Sequence, residues 1–145
     1  MKRYVSAMLA YLVPTFALGF VWHLVLFESY YNSLAIYRRD IIVPFGFLSM
    51  LIQAAIFAWF YDLAFASRPA RLWAKAAAYG AAGATLSWSF TTLAVAAKNI
   101  MSSVPDYLLI ETAFTIVQWT LVAAATVATS VRSPSPTRAS ALEGS

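Results

Sequence analysis

Apolar residues along this chain fall into four long blocks, not into the strict alternation of a half-buried strand. The blocks span about residues 4–27, 41–66, 72–97 and 107–131. At roughly 1.5 Å of rise per helical residue, each is long enough to cross about 30 Å of hydrocarbon. In lipid a helix satisfies its own backbone N–H and C=O groups, so blocks of this length predict helices. The expected fold class is therefore all-α: a polytopic membrane protein whose residues 1–131 form one four-transmembrane-helix bundle.

Short polar stretches separate the blocks. Residues 28–40 make the longest loop, and Tyr30, Tyr31 and Tyr37 suit the headgroup layer. Pro69 and Pro105 mark the turns at 67–71 and 98–106. Pro14 lies inside the first block and predicts a kink, with a carbonyl freed near Ala10. From residue 132 the composition shifts to Ser and Pro, as in SPSPTRASALEGS, and residues 132–145 are expected to form a disordered tail. Lys2 and Arg3 ahead of an apolar run imitate a secretory signal. The run exceeds the usual 7 to 15 residues and lacks a small-x-small cleavage pattern before Glu28, so a retained helix is expected.

Charge sets an expected orientation. Lys2, Arg3, Arg68, Arg71, Lys75, Arg132 and Arg138 lie at one end of the blocks, against Arg38, Arg39 and Lys98 at the other. By the positive-inside rule both termini should be cytoplasmic, in a multi-pass protein of a bacterial inner membrane. Asp62, near the first of these ends, is expected to pair with Arg68 or Arg71.

Composition narrows the chemistry. Only 11% of the 145 residues are charged, against about 25% in a typical soluble domain. The net charge of +4 is explained by topology and by anionic lipid headgroups, and nucleic-acid binding is not supported. The absence of cysteine removes disulfides, thiolate metal sites and iron–sulfur clusters. One histidine cannot supply a bis-histidine haem within the chain, and a metal site would rest on carboxylates such as Glu28 or Glu111.

The polar residues left inside the blocks are the functional candidates. His23 lies four residues before the end of the first block, and Glu111 four residues after the start of the fourth. Because those helices run in opposite directions, the two side chains are expected at matching depth, and they could hydrogen-bond if the helices are neighbours. Ser49 and Gln53 of the second block, Thr91 and Thr92 of the third, and Gln118, seven residues after Glu111, fall in the same half. Together they could line a polar pocket roofed by the 28–40 loop, with Trp22, Trp88 and Trp119 as aromatic walls. Each has a plainer reading. His23 serves equally as an interfacial hydrogen-bonder, Gln53 and Gln118 as glue between helices, and Glu111 as a carboxylate that reaches water. Ala76, Gly80 and Ala84 repeat at four-residue spacing and predict close helix packing, within the chain, between copies or against another subunit.

The stretch GFVWHLVLFESYY, followed by PFGFLSMLIQAAIFAWFY, resembles small bacterial four-helix membrane proteins of the domain-of-unknown-function kind. The resemblance covers roughly the first 65 residues and implies the fold and a bacterial inner membrane; it carries no catalytic residues. Small multidrug exporters have a similar size, but their essential carboxylate lies in the first helix, where this chain has only His23. Vitamin K epoxide reductase-like proteins need cysteines, and di-haem four-helix cytochromes need several histidines.

Two functional classes follow. One is an accessory or assembly subunit, or a binder of a lipid, quinone or other amphipathic molecule in the pocket, with membrane lipids and a homo-oligomer or larger complex as partners. The other is a proton- or cation-coupled transporter or channel using Glu111 and His23. No nucleophile, base and orienter set points to an enzyme.

Overall fold

In the computed structural model, which describes residues 2–38, 40 and 42–132, every regular element is a helix, and no strand occurs among the described residues. Helix α1 covers 2–26, α2 is Glu28–Leu34, α3 is Val43–Ala66, α4 covers 72–96 and α5 is Val104–Arg132. The expected tail lies outside the described residues except for Arg132, which ends α5 instead of opening the tail.

The boundaries differ from the sequence expectation where local chemistry decides them. Pro44 and Pro105 fall in the first turns of α3 and α5, where a missing N–H costs nothing and a fixed φ favours the helix. Helix α5 thus starts at Val104, ahead of the expected 107. Helix α1 runs through Pro14 as one element from Lys2 to Val21. Three segments wind as π-helix: Trp22–Leu26 ends α1, Asp62–Ala66 ends α3, and Trp88–Leu93 lies within α4. The residues expected to be a plain first loop contain α2. Its Tyr31 and Leu34 are buried, and Ser102 ties it to the turn before α5 by bonds to the carbonyls of Leu34 (3.1 Å) and Ser33 (2.7 Å). Helix α2 therefore caps one end of the molecule; the opposite end carries the N-terminus and the 67–71 turn.

Among the described residues, three helices are long and apolar enough to cross a membrane: Arg3–Leu26, Val43–Ala66 and Val104–Val131. The first two have 24 residues each, about 36 Å of helix, which exceeds the roughly 30 Å of a hydrocarbon core. Helix α4 is not among them, since alanine, glycine, serine and threonine replace the large aliphatics along much of its length. Large apolar side chains such as Phe20, Val25, Ile52, Trp59 and Leu109 face outward, a surface that suits acyl chains.

Helix α1 packs on α3 and α5, and α5 packs on α1 and α4. At the junction the ring of Trp119 meets those of Tyr11, Phe57 and Tyr79 at centroid distances of 5.9, 4.6 and 5.7 Å. Its indole N–H donates to Ser87 Oγ at 3.0 Å. Tyrosine hydroxyls fasten other helix pairs: Tyr4 donates to the Ala55 carbonyl, Tyr79 to the Phe57 carbonyl, and Tyr61 meets Ser130. Asp62 pairs with Arg3 at 2.6 Å, and not with Arg68 or Arg71, because α1 lies alongside α3 and brings its first turn to the end of that helix.

Several small residues of α4 pack within the chain. Ala76 and Ala84 border the aromatic core, and a Cβ on Gly80 would stand 3.1 Å from the Cβ of Ala123. The critical position is Gly83, where a Cβ would fall 2.1 Å from the six-membered ring of Trp119. The sequence spacing had not singled it out. Gly83→Ala should force Trp119 or α4 to move and destabilise the fold by roughly 1–3 kcal/mol, as overpacking does. Gly19→Ala, where nothing lies within 4 Å of the added atom, should not. Thermal unfolding of the two variants in detergent checks the contrast.

Candidate functional site

Toward the capped end, α1, α3, α4 and α5 turn polar side chains toward one another around a cavity of about 240 Å³. Helical periodicity explains which residues reach it. Thr15, Gly19 and His23 repeat every four residues on α1, Ser87 and Thr91 do so on α4, and Glu111, Thr115 and Gln118 share one face of α5. Met50 and Gln53 contribute from α3, and Phe114 completes the wall.

Glu111 is the centre of the charged part, with its side chain 12% exposed. The Tyr31 hydroxyl donates to its Oε1 at 2.6 Å, and His23 Nε2 lies 3.3 Å from the same oxygen. The other ring nitrogen, Nδ1, is 3.0 Å from the Gly19 carbonyl. A carbonyl only accepts, so Nδ1 carries a hydrogen and the neutral ring has a lone pair on Nε2. A carboxylate oxygen also offers only lone pairs. The contact between them is attractive only with one proton held in the pair, as imidazolium facing carboxylate or as imidazole facing carboxyl. Either form leaves the two groups with no net charge.

Rings enclose this pair. Phe114 stands edge-on to the His23 ring at 4.6 Å, Tyr31 lies against it at 4.7 Å, and Tyr37 stacks on Tyr31 at 5.4 Å. Burial first, and then the hydrogen bond and charge of Glu111, push the Tyr31 hydroxyl well above the ordinary tyrosine value. Burial and the Glu111 charge do the same to Tyr37. Both remain protonated donors.

Deeper in the cavity the polar groups bond across helices. Tyr11 donates to Gln53 Oε1 at 2.5 Å, Gln53 Nε2 to Ser49 at 2.9 Å, and Gln118 Nε2 to Thr15 at 3.2 Å. Thr91 and Thr115 turn their hydroxyl hydrogens onto the Ser87 and Glu111 carbonyls, at 2.7 and 2.8 Å. Their oxygen lone pairs remain for a donor in the cavity.

Of the residues picked from the sequence, His23, Glu111, Gln53 and Gln118 line the cavity together. The aromatic walls are placed differently. Trp22 packs against Phe27 and Phe114 at 4.6 and 5.8 Å, and Trp88 donates to Thr112 at 2.9 Å; neither lines the cavity. Trp119 belongs to the core, and Ser49 is exposed and reaches the site only through Gln53. Thr15, Gly19, Ser87 and Thr115 had not been picked; their four-residue spacing from His23, Thr91 and Glu111 is the signal that would have found them. No group of three or more histidine, aspartate and glutamate side chains that could hold a metal occurs among the described residues.

The raised tyrosines make a directional prediction. Above about pH 10 an unfolded chain releases tyrosine protons that the folded chain keeps, so stability is full below that pH and falls as pH rises further. Tyr31→Phe with Tyr37→Phe should flatten this alkaline loss, as read by melting temperature across an alkaline series. At neutral pH Tyr31→Phe alone should cost about 1–3 kcal/mol, because Glu111 loses a donor. Comparison with known proteins adds no lead: no protein-family model, no curated protein and no solved structure matches this chain.

Proposed function

We propose that this chain is a multi-pass protein of a bacterial inner membrane that binds a lipid, quinone or other amphipathic small molecule in the polar cavity beneath α2. The observation that carries the reading is the convergence of His23, Glu111, Gln53 and Gln118 from three helices on one cavity. Polar groups in lipid are costly unless they are bonded or serve a ligand, and four helices that needed only glue would have closed the space. An accessory or assembly role, in a homo-oligomer or larger complex, would use a groove of about 410 Å³ that Ala76, Gly80 and Ala84 line together with Trp73, Ile116 and Ala123, but no polar side chains converge on it as they do on the cavity.

The membrane arrangement belongs to the same proposal. Helix α4 is the fourth crossing segment of a four-helix bundle: it packs along α5 and buries Tyr79, Gly83 and Thr92. The excess of cations at the uncapped end supports an orientation with both termini in the cytoplasm.

The shared proton of the His23–Glu111 pair favours a second reading, a proton-coupled transporter, since such a pair can exchange its proton with a cargo. Flux in proteoliposomes separates the two: transport requires Glu111→Gln to abolish it, whereas the binding reading expects no flux from the unaltered protein. For binding, lipid extracts of the purified protein should contain a stoichiometric small amphiphile, and Gln118→Leu should deplete it. Equal content in both preparations would remove the cavity from the reading. Because the chain has no cysteine, single replacements report topology directly. Asn99→Cys should react with an impermeant maleimide added outside, and Ser67→Cys only after the membrane is opened.

A further inference from the structure

A second, apolar space adjoins the polar cavity. It is a cleft of about 340 Å³ between α3 and α4, bordered by Ile56, Trp59, Phe60, Leu86 and Phe90. Gln53, Ser87 and Thr91 belong to the walls of both spaces, so the cleft and the polar cavity meet at these three side chains. Nearer the uncapped end the seam is shut by Tyr79, which donates to the Phe57 carbonyl at 3.1 Å and packs against Phe60 and Phe65 at 6.3 and 5.7 Å. Beside the cavity the border residues instead face the surroundings, with Phe90 74% and Ile56 53% exposed.

Size and charge restrict what fits. At about 30 Å³ per water, 240 Å³ holds roughly eight waters, room for one substituted ring and short of the 300–1,000 Å³ usual for ligand sites. The cleft supplies the remainder, and what it supplies is apolar. Among the described residues no lysine or arginine lines either space, and the Glu111 carboxyl group stands in the cavity wall, so a buried phosphate would lack a counter-ion. The oxygens of Thr91 and Thr115 and the proton of the His23–Glu111 pair instead offer partners to hydroxyl and carbonyl groups.

Resting on the binding reading above, we infer that the occupant is a neutral lipid with a compact hydroxyl- or carbonyl-bearing head, of the hydroquinone or quinone class. It enters sideways from the bilayer between α3 and α4, seats its head beside Gln53 and Thr91, and leaves its chain in the cleft.

The test uses the full chain in phosphatidylcholine nanodiscs, with a decyl-substituted benzoquinone, its hydroquinone and the same ring without a chain as probes, each measured by equilibrium binding. Ile56→Trp and Leu86→Trp, both at lipid-facing positions, should weaken the chain-bearing probes roughly tenfold, equivalent to displacing about two buried methylenes, and leave the bare ring unchanged. Gln118→Leu should weaken all three. If the seam variants change nothing while Gln118→Leu still weakens binding, the sideways entry is wrong and the cavity reading stands. If Gln118→Leu also changes nothing, the cavity reading itself falls. Displacement of the decyl probes by an equal concentration of phosphatidylglycerol would overturn the neutral head. The quinone and hydroquinone arms report which oxidation state is preferred. A photoreactive group at the chain's end, used on the unaltered protein, should label residues 56–60 and 86–91; labelling confined to other segments would overturn the inference without relying on any variant.

Discussion

The ring of Trp119 occupies the space that a side chain at position 83 would need, and this one fit sets how closely α4 approaches α5. Its consequences spread outward. Because the indole is held there, its N–H reaches Ser87, and Ser87 in turn stands where the polar cavity and the apolar cleft meet. The same ring supports Tyr11 and Phe57, so α1 and α3 are positioned from the centre of the molecule. In hydrocarbon, which three of the described helices are long and apolar enough to cross, packing would gain little from expelling water, and steric fit of this kind would have to replace it.

Around that aromatic centre many polar side chains find their partners within the protein, as groups removed from water do. The tyrosines do so by bonding across helices through long, stiff side chains, as Tyr11 does with Gln53 and Tyr79 with the Phe57 carbonyl. Glu111 has two partners, one from α1 and one from α2. The cavity is thus lined by groups already committed to the protein, with the lone pairs of Thr91 and Thr115 left over instead of a general polar surface.

The sequence displayed some of this and concealed the rest for physical reasons. Block length and apolar content were enough to place the long helices within about three residues at each end. Matching depth from two antiparallel helices was enough to bring His23 and Glu111 together. Helix α2 was hidden because its seven residues are polar and aromatic, with no periodic apolar face, and a helix so short is held by tertiary contacts. Gly83 looked like one small residue among many in an alanine-rich run; only the three-dimensional position of Trp119 distinguishes it from Gly80. The π-helical turns carry no dependable local signature, yet one of them contains His23 and another Thr91. Trp22 and Trp88 were assigned to the cavity by depth alone, and depth does not give the rotational position that decides which way a ring points.

Helix α2 has a further consequence. A seven-residue helix is not stable by itself, so its order is borrowed from Tyr31, Leu34 and the bonds to Ser102. Tyr31 is at once the anchor of that helix and a hydrogen-bond donor to Glu111. Lifting the cap and stripping the carboxylate of its tyrosine are therefore a single event.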